Sequence, residues 1–353
     1  MHDKIIVGLI FGGRSAEHEV SIMSARNVAA ALDPEKYLVR LIGITKSGAW
    51  LFDDAPRRVI EDPTQQILPE QALDTNPMVA LSAHQSESST DSTAIDVIFP
   101  VLHGPYGEDG TVQGLAKILD LPCVGAGVIG SVLGMDKDVM KRLLVQAKIP
   151  IVEHIVLRHG DKRPNFDQLS KKLGQTLFVK PANLGSSVGV SKVTSQQELS
   201  TALDTAFRYD RKIIIEQGLN KVREIEIGVL GNDQPEVSVP GELMVADDFY
   251  SYDAKYGTES QTKDQIPAQI PKKIVAEIEQ LAQQTFQVLE CRGMCRADFF
   301  LTAEGKIYLN EINTLPGFTN ISMYPKLWEA SGMSQRELVD RLIALAMEEG
   351  AQY

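Results

Sequence analysis

Between Arg296 and Asn313 the chain carries a guanidinium, two carboxylates and an amide at spacings that bring them together. Arg296-Ala-Asp298-Phe-Phe-Leu301 and the stretch from Lys306 to Asn313 alternate polar and apolar residues, the period of half-buried strands. Thr302-Ala-Glu-Gly305 supplies the turn between them. With Leu301 opposite Lys306, Arg296 would face Glu311 and Asp298 would face Leu309. Residues two apart share a strand face, so Arg296, Asp298, Glu311 and Asn313 would project from one side. Such oxygen donors suit Mg²⁺, which is held by one or two carboxylates together with substrate phosphates. A solvated hairpin face with an ordinary Arg–Glu cross-strand pair fits these residues equally well.

Phosphate-directed groups lie upstream. Leu177-Phe-Val-Lys180-Pro181 reads as a short strand ending in a lysine, followed by the glycine- and serine-rich turn Gly185-Ser186-Ser187-Val-Gly189. Such a turn offers backbone N–H groups and hydroxyls to phosphate oxygens without side-chain crowding. Lys137, opening a helical run to about Ala147, and Lys180 would supply point charges. Lys212 to Leu219 is a strand that could line an adenine pocket, and Arg223 to Leu230 alternates so that Glu224 and Glu226 share a face. Residues 243–265 break all periodicity and contain Tyr250, Tyr252, Lys255 and Tyr256, the composition of a functional lid rather than of plain disorder.

The elements that must carry these groups begin with Ile5 to Phe11, a near-continuous apolar run expected of a buried parallel strand. Gly12-Gly13-Arg14-Ser15 turns into a helical pattern from Ile22 to Leu32, with Glu17 just before it. In such a strand–turn–helix unit ligands bind beyond the strand ends. Glu17 could bind a substrate ammonium, or serve only as an acid at a helix N-terminus. Leu38 to Ile44 and Asp96 to Leu102 are further strands, and the second ends in His103-Gly-Pro-Tyr-Gly-Glu-Asp-Gly110, which makes His103 a site candidate. Gly125 to Gly130 matches G-x-G-x-x-G but does not follow the first strand, so a dinucleotide site is disfavoured. Helix 272–290 is amphipathic, Ser334 to Glu337 is a capping box opening the last helix, and 82–93 is a Ser/Thr-rich surface loop.

The totals narrow the classes. A chain of 353 residues holds two or three domains. A net charge of -12 argues against a nucleic-acid partner, which would need its phosphates neutralised. Cys123, Cys291 and Cys295 form neither a disulfide framework nor a zinc set, which fits a reducing cytoplasm. The run from Ile5 to Phe11 is too short for a membrane span, and no targeting segment is evident.

These motifs, in this order, resemble the ATP-grasp ligases and, within them, the D-alanine–D-alanine ligase family. The resemblance runs from about Ile5 to Leu345. It is carried by Gly12 to Ser21, Leu102-His-Gly104 with Gly107 to Gly110, and Met135-Asp-Lys137. Val179-Lys-Pro with Gly185 to Gly189, Ala254-Lys-Tyr256, Arg296-Ala-Asp298 and Asn310 to Gly317 complete it. It implies an α/β, Rossmann-like N-terminal domain (1–133) and an α+β ATP-grasp fold, with a central ATP-binding domain (134–216) and a C-terminal domain (217–353) holding the metal site and a lid at about 243–265. The implied reaction is ATP-dependent ligation of two D-alanines through an acyl phosphate, in a cytoplasmic homodimer acting on peptidoglycan precursors without nucleic-acid or membrane partners. By the same resemblance Asp298, Glu311 and Asn313 hold two Mg²⁺ ions, for which Mn²⁺ can substitute. Lys137, Lys180, Glu216, Leu219, Glu224 and Lys255 bind ATP. Glu17 anchors the first substrate's ammonium with support from Ser186 and Tyr256, and His103 lies near its carboxylate. Arg296 and the N–H of Gly317 stabilise the oxyanion, and Ser322 and Met323 receive the second substrate's carboxylate. Tyr at 256 favours an amine as that second substrate, whereas Gln217 departs from the Lys that some relatives carry beside the adenine.

Overall fold

Seven consecutive residues of β1 (Ile5–Gly12) are buried, and both faces of the strand meet a core. Val7, Leu9 and Phe11 enter one cluster while Ile6 and Ile10 enter another, as strand alternation dictates for a sheet covered on both sides. The computed structural model describes residues 4–52, 54–70, 81, 94–244 and 263–350. Among them the strands form three sheets.

The first sheet has the order β3-β2-β1-β4, from β2 (Tyr37–Ile44), β3 (Trp50–Phe52) and β4 (Val97–Pro100). β1 pairs in parallel with β2 and β4, and β3 is antiparallel at the edge. Its helices are α1 (His18–Ala31), α2 (Asp54–Glu61) and α3 (Thr111–Ile118), whereas α4 (Gly127–Met135), next in the chain, packs with Gly134 against Ile312 and Thr314. Gly125 to Gly130 thus spans the entry to α4 rather than the first strand–helix turn. The turn after β1 needs glycine at position 12. Its φ is +91°, and a Cβ there would sit 2.3 Å from the Ile44 carbonyl oxygen.

The middle of the chain forms α5 (Lys137–Gln146), β5 (His154–Arg158), α6 (Phe166–Leu173), β6 (Leu177–Pro181), β7 (Ser191–Val193), α7 (Gln196–Ala206) and β8 (Lys212–Gln217). Its antiparallel sheet runs β5-β8-β6-β7 and closes its own apolar cluster with α6 and α7.

The third sheet is antiparallel, β12-β11-β9-β13-β14, with β10 (Glu236–Val237) beside β9 (Arg223–Leu230). The remaining strands are β11 (Gly241–Met244), β12 (Lys263–Gln265), β13 (Met294–Leu301) and β14 (Ile307–Asn313). Ile278, Ala282 and Phe286 of α8 (Lys272–Val288) pack on it. Of the last helices, α9 (Met323–Ala330) and α10 (Gln335–Gly350), the first also lies against β9, with the Tyr324 hydroxyl donating to the Val229 carbonyl at 3.0 Å, and Tyr324, Trp328, Leu342 and Ala346 share a core with β1. The capping box forms at α10, with Ser334 N–H donating to Glu337 Oε2 at 2.8 Å and Glu337 N–H to Ser334 Oγ at 3.3 Å.

Two expectations are corrected. Leu301 pairs with Ile307, not Lys306, Arg296 with Asn313, and Asp298 with Glu311. A bulge between Asp298 and Phe299 accommodates Asn310 as an extra residue on β14, and an inserted residue is what unaided alternation misses. The expected lid range is also too wide. Leu243 pairs with Asp264 and Met244 with Lys263, so both ends of 243–265 are strand. Residues 245–262, including Tyr250, Tyr252, Lys255 and Tyr256, lie outside the described residues, as does 82–93.

Candidate active site

Two adjoining cavities lie where the three sheets converge. One, of about 330 Å³, is lined by Glu17 and His103 from the first sheet's loops, Ser186 from the middle unit, and Arg296, Gly317, Ser322 and Met323 from the C-terminal part. The other, of about 180 Å³, is lined by Lys180, Glu216, Gln217, Leu219, Glu224 and Asp298. Lys137, Gly185, Ser186, Glu226, Arg296 and Glu311 belong to both. Every proposed site residue among those described therefore borders one cavity or the other.

The acidic hairpin forms an ion-pair network. Arg296 donates from Nε and Nη2 to the two oxygens of Asp298, both at 2.7 Å, and its Nε also lies 2.9 Å from Glu226 Oε2. Asp298 and the Glu226 across from it hold the guanidinium firmly protonated despite burial. Glu311 meets Lys137 Nζ at 3.3 Å. Asn313 accepts a hydrogen bond from the N–H of Leu315 at 3.2 Å.

Lys137 sits at the first position of α5, whose cap Asp136 accepts from the N–H groups of Asp138 and Val139. Its ammonium donates to the Leu184 carbonyl at 2.7 Å, which ties it to the glycine–serine loop. In that loop Ser186 and Ser187 both adopt positive φ, +52° and +60°. Such left-handed backbone costs energy in residues other than glycine and is concentrated at functional sites.

Lys180 and Lys141 enclose one carboxylate. Glu216 Oε2 lies 2.6 Å from Lys180 Nζ, and Oε1 lies 2.8 Å from Lys141 Nζ. Burial opposes ionisation of Glu216, but the two lysines prevail and bring its pKa down to about 2. Lys141 is itself pushed downward by burial against the pull of Glu216, so the net gain from its pair is modest. Lys141 was not recognised from the sequence; only its i+4 position from Lys137 hinted that it shares that helix face.

Glu17 stands at the N-cap of α1 and is buried. His103 is buried beside it, with Nδ1 3.2 Å from the Leu315 carbonyl and Nε2 3.2 Å from Ser24 Oγ. A carbonyl only accepts, so Nδ1 carries the proton and Nε2 accepts from the Ser24 hydroxyl. Burial lowers the imidazole pKa, in keeping with a neutral ring, although Glu17 pulls the other way. Ser24 Oγ also accepts the N–H of Phe318 at 3.2 Å. Both ring nitrogens are thus engaged within the protein, and His103 fastens the 315–318 segment. Ser24, a small polar residue inside an apolar helix pattern, gave no sequence signal of this.

Also on the larger cavity, Ser322 holds the N-cap position of α9 without a side-chain cap and Met323 is its first residue, so the helix N-terminus and its dipole would face an anion there. Gly317 lies close to the same serine, since a Cβ on it would sit 2.7 Å from Ser322 Oγ. The described residues contain no group of three or more His, Cys, Asp or Glu side chains arranged for a metal. The donors at Asp298, Glu311 and Asn313 are two carboxylates and an amide.

Two family models match the chain: the D-ala D-ala ligase N-terminus over residues 6–126 and the D-ala D-ala ligase C-terminus over residues 143–344. The D-alanine–D-alanine ligase A of Escherichia coli K12 is 47% identical over 355 residues, covering 99% of this chain and 97% of that relative. The solved D-alanine-D-alanine ligase from Coxiella burnetii superposes with a TM-score of 0.82 at 36% identity, over 99% of this chain and 97% of that one. The VanG D-Ala:D-Ser ligase from Enterococcus faecalis also reaches 0.82, at 33% identity, over 98% of this chain and 100% of that one. The architecture is that of a ligase. The chain belongs to the D-alanine–D-alanine ligase family.

Proposed function

We propose that this chain joins two D-alanines to D-alanyl-D-alanine, using ATP and an acyl phosphate, for peptidoglycan precursor synthesis. One observation carries the reading: a cavity lined by Lys137 and Lys180 abuts a cavity bordered by the buried acid Glu17 and by the N-terminus of α9, and they share Lys137, Arg296 and Glu311. The finer fold assignment is ATP-grasp, with units 1–133, 134–216 and 217–353. Its support is that the three sheets follow these units, except that the middle sheet runs one residue past the 216 boundary, to Gln217.

In this reading Lys137 and Lys180 neutralise nucleotide phosphates, and Lys255 joins them from the lid. Leu219 and Glu224 line the nucleotide cavity, and Glu216 holds Lys180 in place. Glu17 binds the ammonium of the first D-alanine, supported by Ser186 and Tyr256. With His103 nearby, that substrate's carboxylate faces the γ-phosphate, attacks it and becomes the acyl phosphate. Phosphoryl transfer needs positioning and charge neutralisation more than covalent help, and the site holds lysines rather than a nucleophile. The second D-alanine docks its carboxylate on Ser322 and the N–H of Met323, and its amine attacks the acyl carbon. Arg296 and the N–H of Gly317 receive the developing oxyanion.

Asp298, Glu311 and Asn313 fit Mg²⁺ or Mn²⁺: all donors are oxygens, and the two carboxylates lie opposite each other. When bound there, the metal would neutralise and orient the phosphate oxygens. Among the described residues no helix is long and apolar enough to cross a membrane.

The test is phosphate release from ATP and Mg²⁺ with each enantiomer of alanine. D-alanine should stimulate release and yield the dipeptide; no D-alanine-dependent phosphate would sink the reading. The likeness to a D-Ala:D-Ser ligase supports a second reading. Competition between D-serine and D-alanine, with product identification, separates the two.

A further inference from the structure

Glu108 occupies a place in the larger cavity that the roles above leave unassigned. Its Oε2 accepts the N–H of Gly104 at 2.9 Å. Gly104 also abuts Glu17, since a Cβ on it would lie 3.6 Å from Glu17 Oε2. The two carboxylates therefore meet over one glycine. On its other side Glu108 reaches the glycine–serine loop, where a Cβ on Gly185 would lie 4.0 Å from Oε2. It thus stands between the acid for the first ammonium and the loop over the reacting groups, in the cavity that holds Arg296 and Ser322.

Resting on the ligase reading, we propose that Glu108 accepts the proton which the second substrate's ammonium must lose to become the attacking amine. The other titratable groups described around this cavity are committed elsewhere. His103 has both nitrogens engaged, Glu226 lies against Arg296, Glu311 meets Lys137, and Asp264 pairs with Lys326 at 2.6 Å.

The surroundings suit a base. Burial, and then repulsion from Glu17, raise the Glu108 pKa to about 8, against the opposing pull of the Gly104 N–H, Lys137 and Arg296. An ordinary carboxylate is too weak a base for an ammonium, and this one is stronger. An ammonium bound at Glu17 cancels part of the repulsion, so Glu108 ionises more readily once the first substrate is seated. The step balances. An N–H bond of the ammonium breaks and an O–H bond forms on Glu108. The freed lone pair attacks the acyl carbon, and the bond from that carbon to the phosphate oxygen breaks. The amine's second proton leaves with phosphate, and Glu108 returns its proton to solvent.

Glu108 also closes the 104–108 turn, so the test must separate a proton acceptor from a turn residue. Glu108→Gln keeps an oxygen to accept the Gly104 N–H but cannot take a proton. Hydroxylamine is neutral near pH 7 and traps an acyl phosphate as the hydroxamate without needing a base. With the full chain, ATP, Mg²⁺ and D-alanine, Glu108→Gln should lower dipeptide kcat by roughly 10²–10⁴-fold. Hydroxamate formation should change only a few-fold, and the rise of dipeptide kcat with pH should disappear. Glu108→Asp should recover part of the dipeptide rate and keep a pH limb. Wild-type dipeptide kinetics in Glu108→Gln would overturn the assignment, as would equal loss of dipeptide and hydroxamate, or Glu108→Asp behaving as Glu108→Gln does. A wild-type chain making neither product would instead sink the ligase reading.

Discussion

Asp298 on β13 and Glu311 on β14 stand directly opposite each other in the ladder, immediately before the bulge that admits Asn310. Without the extra residue the two carboxylates would slip out of register. The bulge makes the hairpin a paired-acid site, while Arg296 limits the repulsion by taking both oxygens of Asp298.

Glu311→Gln should therefore lower D-alanine-dependent phosphate release by about 10²-fold or more, the scale of losing one charged group at a transition state. The Mg²⁺ concentration needed for half-maximal rate should rise with it. A Mg²⁺ titration of the variant checks this, and an unchanged metal dependence would remove Glu311 from the metal site.

Lys141 offers a stability test. Replacing it with Met leaves Glu216 buried with only Lys180, and breaking such a buried pair costs about 3–5 kcal/mol, toward the lower figure while the second lysine remains. Urea denaturation of Lys141→Met should show this loss, and adding Glu216→Gln should restore part of it. The Glu216 pKa is depressed from 4.5 to about 2, so its contribution is present above pH 4.5 and fades as the pH falls toward 2. The destabilisation by Lys141→Met should shrink over that window.

Glu17→Gln removes the charge proposed to hold the first ammonium. The KM for the first D-alanine should rise by at least tenfold, while ATP binding, on the other side of the shared Lys137, stays near wild type. Product formation across a D-alanine series, beside nucleotide binding measured by calorimetry, distinguishes the two. An unchanged D-alanine dependence would contradict the role.

Ser24→Ala would strand the His103 Nε2 and the Phe318 N–H, each at about 1–3 kcal/mol if left without a partner. The expected result is a lowered unfolding midpoint and weaker binding of the second substrate, because the 315–318 segment loses its tie to α1. Full stability in Ser24→Ala would show that water replaces the hydroxyl.

Much of this molecule was legible in the linear order of residues. β1, β2, β6, β8 and β9 appear close to where apolar runs and alternation put them, because strand periodicity is written locally. The motif series was sufficient to identify the family, and the candidate site residues it named, among those described, border the two cavities. What lay beyond the sequence depends on contacts between distant segments. The bulge at Asn310 is a choice between two ladders of similar alternation, decided by how β13 fits between β9 and β14. The burial of α9 and α10 in the core that β1 shares, with α10 against α1 and β4, sends the chain's end back to its beginning, which no local pattern announces. The tautomer of His103, the double claim on Glu216 and the raised basicity of Glu108 all arise where separate elements exclude water and bring charges together. Residue types and spacing determined which chemistry was available, and the tertiary structure decided which proton each group holds, because desolvation and charge proximity are properties of the folded interior.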